Sequence, residues 1–246
     1  VLSQLLAPRF GVVTAVRTDA PVAALTFDDG PHPDTTPLVL DILKAHGAKA
    51  TFFVVGQAAE RHPEVLERIV REGHELGNHT FDHPSLPRLT AAEIAEQVAR
   101  CAAVMPPHQA PPLFRPPYGH LTAAVCWQLK RLKQQVVAWT FHCHDWSESS
   151  AARLLEQLEA RLSPGSIVLL HDALYRYTPQ DHPDRAALCR ALEALLQQRR
   201  DYRFVTLSQL MTYGKPRYTL RFKAGDRHFI EQLTDRQSEV SPSHGR

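Results

Sequence analysis

Short apolar runs alternate with helix-spaced segments along most of this 246-residue chain, and that alternation constrains the fold more than any other feature. Val22 to Phe27 reads as a buried strand, and Thr36 to Gly47 as a helix with Pro37 near its start and Gly47 just past its end. Ala50 to Val55 is β-branched and aromatic; His62-Pro63-Glu64 then opens a helix that runs through Ile69 and Val70 to a stop at Gly73. A short strand around Glu75-Leu76 follows. Thr90 and Glu93 have capping-box spacing, and Ile94, Val98 and Val104 continue as a helix ending before Pro106-Pro107. The pattern repeats with a brief strand near Leu113-Phe114, a helix over 122–132, a strand over Val136-Val137-Ala138-Trp139 and a helix from Ser150 to Leu162 stopped by Pro164-Gly165. Ile167 to Leu170 is the next strand, Arg185 to Arg200 an amphipathic helix and Tyr202 to Val205 a last strand. About seven strand-helix steps predict an α/β fold with parallel strands and crossover helices. No shift in composition divides the chain, so one domain is expected.

Apolar residues at 43% and charged residues at 22% supply enough core and too little charge bias for disorder. Lys and Arg number 28 against 26 Asp and Glu, a net charge of +2 that leaves no broad basic footprint for nucleic acid. Cys101, Cys126, Cys143 and Cys189 lack C-x-x-C spacing and read as free thiols, mostly buried. No run approaches the roughly 18 apolar residues of a membrane span. The start, Val1 to Arg9, is a poor signal peptide, so a cytoplasmic location is favoured over export with a lost leader.

Five polar motifs lie directly after apolar runs: Asp28-Asp29-Gly30, His79-Thr80-Phe81-Asp82-His83, Arg115-Pro116-Pro117-Tyr118-Gly119, Asp145-Trp146 and His171-Asp172. Carboxyl ends of successive parallel strands converge on one mouth, so distant motifs can meet there. Two histidines four apart plus a carboxylate make a site for zinc or a related divalent ion, and Asp29, His79 and His83 are its expected ligands. Asp28 then fits a general base that takes the proton of a water attacking a carbonyl. An Asp-Gly pair alone would read as a turn. A departing amine needs a proton, and His171 is the candidate acid, held protonated by Asp145. Arg115 could orient Asp28, and the Tyr118 backbone N–H could serve the oxyanion. Trp146 and Tyr118 are candidates for stacking on a sugar, with core packing as the plainer reading. His74 reads as structural; His108, His144 and His182 have no constellation.

Taken in order, Thr26-Phe27-Asp28-Asp29-Gly30, the His79 and His83 pair, Arg115 to Gly119, Asp145-Trp146 and Leu169-Leu170-His171 resemble the motifs of polysaccharide deacetylases with the NodB homology domain, carbohydrate esterase family 4. The resemblance covers about residues 20 to 210. It implies a distorted (β/α)7 barrel, with a lead-in over 1–19, the deacetylase domain over 20–213 and an extension over 214–246. In that extension, Tyr218 to Lys223 could form an arm of an edge hairpin, ahead of a disordered tail. The implied reaction is metal-dependent removal of N-acetyl groups from amino sugars in a polysaccharide, oligosaccharide or glycolipid. Asp28 would be the base and His171 the acid, tuned by Arg115 and Asp145; the Tyr118 amide would complete the oxyanion hole. Asp29, His79 and His83 would hold one metal, Zn2+ before Co2+ or Mn2+. Tyr118, Trp146 and Leu169 are expected against substrate. In many members another Asp stands three residues ahead of the one preceding Trp; here that place is His142, which puts the loop shape and substrate preference in question. Two alternatives remain at this level: hydrolysis of a small amide or formylated amino sugar, and a silent glycan-binding protein. Loss of the base, a ligand or the acid would favour the last, and none is lost.

Overall fold

The structure is a computed structural model that describes residues 11–106 and 112–219. Its strands are β1 (Val12–Arg17), β2 (Val22–Asp28), β3 (Ala50–Val54), β4 (Glu75–Asn78), β5 (Leu113–Phe114), β6 (Gln135–Val136), β7 (Phe141–His142), β8 (Ile167–His171), β9 (Arg203–Phe204) and β10 (Lys215–Thr219). The α-helices are α1 (Thr36–Ala45), α2 (Gly56–Arg61), α3 (Pro63–Arg71), α4 (Ala91–Ala103), α5 (Ala123–Arg131), α6 (Ala151–Arg161), α7 (Ala186–Gln198) and α8 (Leu207–Thr212). None is long and apolar enough to cross a membrane among the described residues. Parallel pairing runs β6-β5-β4-β3-β2-β8-β7, with β9 beside the start of β2. The predicted strand over 136–139 is interrupted. Val136 still pairs with β5, whereas Phe141 and His142 pair with β8, because the chain crosses between those neighbours over residues 137–140. Val137 N–H donates to Phe114 O at 2.9 Å and Thr140 N–H to Ile167 O at 2.8 Å. The two half-strands thus curl the sheet into the expected distorted barrel.

β1 fills the seam that this crossing opens. Ala138 N–H donates to Val13 O at 2.8 Å, and Val16 N–H to Gly165 O at 2.9 Å. On its other edge β1 pairs antiparallel with β10, from Val12 opposite Thr219 to Arg17 opposite Lys215. Tyr218 and Thr219 therefore belong to a strand whose partner comes from the predicted lead-in. The rest of the expected hairpin arm, 220–223, and the tail lie outside the described residues. Short helices α2 and α8 were absent from the periodicity reading because six residues are too few to display a helical period.

Side chains alternate across each strand, and the two faces meet different neighbours. Ala23, Leu25 and Phe27 pack outward with Leu40, Leu43, Leu188 and Leu192 of α1 and α7. Val22 and Ala24 point inward with Val13, Phe53, Leu113 and Ile167. Burial of each large apolar side chain contributes about 1.5–3 kcal/mol, and a one-residue slip would exchange the faces. Register is therefore fixed by the apolar lower part of the barrel. Farther along the same inward faces the residues become polar: Ala24, Thr26 and Asp28 on β2; Ile167, Leu169 and His171 on β8. A packed floor thus carries a polar mouth at the carboxyl ends of the strands. All four cysteines are free, and three of them are buried.

Candidate functional site

The metal-ligating atoms of Asp29, His79 and His83 lie within 4.8 Å of one another, and all three residues are buried. Asp29 Oδ1 is 3.5 Å from His79 Nε2 and 3.2 Å from His83 Nε2. His79 Nδ1 is 2.7 Å from the carbonyl oxygen of Arg115, which can only accept, so Nδ1 carries the proton and Nε2 presents its lone pair to the triad. Burial lowers the pKa of His83 and favours the neutral form that a cation needs. For Asp29, burial acts upward, but the imidazoles of His83 and His79 outweigh it and hold the carboxyl well below its usual range. Two neutral imidazoles and one carboxylate in this arrangement fit a divalent ion.

Asp28 and Arg115 form the wall beside this triad. Arg115 is fully buried; its Nη1 donates to Asp28 Oδ1 at 2.7 Å and to Thr26 Oγ1 at 2.8 Å, and Nη2 donates to Ala138 O at 2.9 Å. Its guanidinium lies 4.1 Å from the centroid of Phe53. That ring has room because position 77 is glycine: a Cβ there would fall 2.4 Å from Phe53 Cδ1. With Oδ1 engaged, Asp28 Oδ2 is the oxygen facing the triad, 3.8 Å from His79 Nε2.

His171 and Asp145 form the opposite wall. Asp145 Oδ1 meets His171 Nδ1 at 3.1 Å, and Oδ2 accepts the His171 backbone N–H at 2.9 Å. Burial works against the charge on His171, but Asp145, with Asp29 and Asp28 beyond it, raises the imidazole from 6.5 to about 9. Burial likewise acts upward on Asp145, and His171 and Arg185 together bring the carboxyl below its ordinary value. Trp146 packs edge-on to His171 with centroids 5.3 Å apart. Leu169 lies one pleat below His171 and is buried. Tyr118 has φ 58° and sets its ring edge-on to His83 at 4.5 Å. Every residue expected at the site therefore lies at this one mouth.

Four neighbours were given no role at the site by sequence reasoning. Arg185 is buried at the entrance to α7, donating from Nε to His171 O at 3.0 Å and from Nη2 to Asp145 Oδ2. Tyr175 donates its N–H to Asp29 Oδ2 at 3.1 Å. Asp172 is buried under the first motif, where burial raises it to about 7; it accepts from Thr36 Oγ1, and a Cβ on Gly30 would fall 2.0 Å from its Oδ2. His144, read as unattached, stacks edge-on to His142 at 4.3 Å and lies 5.0 Å from Trp146. Only adjacency to His171 and to Asp145 could have pointed to Asp172 and His144; loop residue Tyr175 carried no signal, and Arg185, read as the start of a helix, caps that helix at its N-terminus.

The family model described as Polysaccharide deacetylase matches residues 15–137, a span that holds the first three motifs. The chain belongs to the polysaccharide deacetylase family. A chitooligosaccharide deacetylase of Bradyrhizobium sp. is 39% identical over 197 residues, covering 76% of this chain and 89% of that protein. A peptidoglycan-N-acetylglucosamine deacetylase of Bacillus cereus is 33% identical over 218 residues, covering 87% and 99%. In three dimensions, a crystal structure of a peptidoglycan N-acetylglucosamine deacetylase in complex with an N-oxidanyl-benzamide matches with TM-score 0.75 at 31% identity, over 86% of this chain and 98% of that one. As a polysaccharide deacetylase of carbohydrate esterase family 4, the chain is a hydrolase acting on carbon–nitrogen bonds other than peptide bonds.

Proposed function

We propose that this polysaccharide deacetylase hydrolyses the acetamido group of N-acetylated amino sugars with one divalent metal, an aspartate base and a histidine acid. The observation that carries the reading is the Asp29-His79-His83 triad standing between Arg115-held Asp28 and Asp145-held His171. A cation held by Asp29, His79 and His83, zinc in preference to cobalt or manganese, would supply the Lewis acidity that polarises the amide carbonyl and acidifies a water. Asp28 Oδ2 takes the proton of the attacking water as the water oxygen adds to the carbonyl carbon. Arg115 keeps the Asp28 carboxylate turned so that this oxygen, and not its mate, faces the triad. The Tyr118 N–H, in the turn after the two prolines, is the assigned donor to the oxyanion. His171, charged at neutral pH, delivers its proton to the nitrogen as the C–N bond breaks, giving acetate and the free amine. Trp146, Tyr118 and Leu169 would frame the acetyl group and the sugar.

Relatives named for chitooligosaccharides and for peptidoglycan support a β-linked N-acetylglucosamine-containing glycan as the substrate class. Presence of base, triad and acid in one mouth weighs against a silent glycan-binding role. The test is acetate release from chitooligosaccharides and from peptidoglycan fragments, before and after chelation and with zinc or cobalt restored. Chelator-sensitive release that returns with metal is the expected result. Release that persists in chelated protein with no bound metal would overturn the mechanism.

A further inference from the structure

The loop between β8 and α7 follows the rim of the mouth. It begins beside Asp29 through the Tyr175 N–H and ends beside Trp146, whose carbonyl accepts the His182 N–H at 2.8 Å. Within it, Arg176 is half-buried, yet none of the ion pairs among the described residues includes it. Its Nη2 donates to the carbonyl of Asp82 at 3.0 Å, and its guanidinium carbon lies 5.8 Å from the Tyr175 ring centroid. Asp82 directly precedes the ligand His83, and the Tyr175 ring is 6.0 Å from that imidazole. The guanidinium is thus tethered to the triad side of the mouth. One of its five N–H donors is engaged by a neutral carbonyl. A planar cation fixed in this way matches the paired oxygens of a carboxylate or phosphate. Arg61, exposed at the end of α2, adds a second positive charge near Tyr175 without an ion pair of its own among the described residues, set against the carboxylates of Asp82 and Asp29 on the triad side. Tyr177, the next residue of this loop, is 62% exposed and offers an aromatic side chain on which a sugar ring can stack.

We propose that Arg176 anchors an anionic subsite, binding a carboxylate or phosphate carried by the glycan next to the sugar that is deacetylated. This rests on the deacetylase reading only for the position of the reacting sugar. The experiment compares wild type with Arg176→Gln and Arg176→Lys on three acetylated ligands: neutral chitooligosaccharides, glycan fragments bearing a lactyl ether carboxylate, and an N-acetylglucosaminyl phosphate. Equilibrium binding and kcat/KM are both measured. Loss of one charge-assisted contact should lower the ratio of anionic to neutral affinity about tenfold in Arg176→Gln, with partial retention in Arg176→Lys. The arm in which the ratio falls identifies the anion. Equal effects on all three ligands, or a ratio that does not move, would overturn the proposal even if acetate is released normally. Arg176-dependent preference for an anionic ligand in binding, without turnover of any arm, would uphold the subsite while removing the deacetylase reading.

Discussion

Asp28 and Asp145 are adjacent in role but opposite in what they do to protons. Asp28→Asn keeps the shape and the acceptor toward Arg115 while removing the basic oxygen, so turnover should fall by roughly 10²–10³-fold, as loss of a general base does. Metal content, counted per chain by elemental analysis, should be unchanged. His171 supplies a pH signature. As the proposed acid it must be protonated to act, and its folded value is raised to about 9, so the alkaline limb of kcat should fall near that pH. Asp145→Asn removes the principal charge that raises it, and the limb should move toward 6.5; a pH–rate profile showing no such movement would break the assignment. The same shift fixes the sign for stability in the metal-free protein. The native state holds this proton more tightly than the unfolded chain does, so the contribution is complete below about 6.5 and is lost as pH rises through about 9. Denaturant midpoints across that window should decline accordingly.

Among the elements, α4 separates a folding contact at its exposed start from contacts farther along it that hold the second motif, where Gln97 Oε1 accepts the Phe81 and Asp82 N–H groups. Thr90 Oγ1 accepts the Glu93 N–H at 3.3 Å, and Glu93 returns a bond from the Thr90 N–H at 2.7 Å. Thr90→Ala should cost about 1 kcal/mol in urea unfolding, with kcat/KM unaltered because the cap is exposed and, among the described residues, its side chain bonds only to Glu93. This capping box was legible as four letters, as were the strands that end in Asp28 and His171, since a run of apolar residues and a polar stop are local facts. The break at 137–140 was not, because Val136 to Trp139 is uniformly apolar and nothing local says that its first half pairs with β5 and its second half leads to β8. β10 finds β1 across nearly the whole chain, a pairing that alternation alone cannot assign. Tyr175 was invisible for a related reason: it reaches the site from an irregular loop, where spacing carries no period, and Arg185 was legible as a helix start but not as a partner of Asp145.

At the scale of the whole molecule, a cation held by the triad would join two strand ends that the backbone does not join: Asp29 after β2 with His79 and His83 after β4. Binding to the folded chain alone stabilises it by about 2.7 kcal/mol when free metal is a hundredfold above its dissociation constant. Chelation should therefore lower the midpoint of thermal unfolding, and zinc should restore it, while His79→Ala should lose that response. The mouth also concentrates unusual backbone. Six residues there that are not glycine, Asp29, Thr80, His83, Tyr118, His144 and Arg185, have positive φ, with Lys133 as the other such residue among those described. Each such conformation costs on the order of 1 kcal/mol for an L-residue. A laboratory lineage bred for heat resistance alone would therefore take glycine first at Lys133, away from the mouth, because at Asp29, His83 and Arg185 the same exchange would also remove a triad side chain or the buried pair with Asp145.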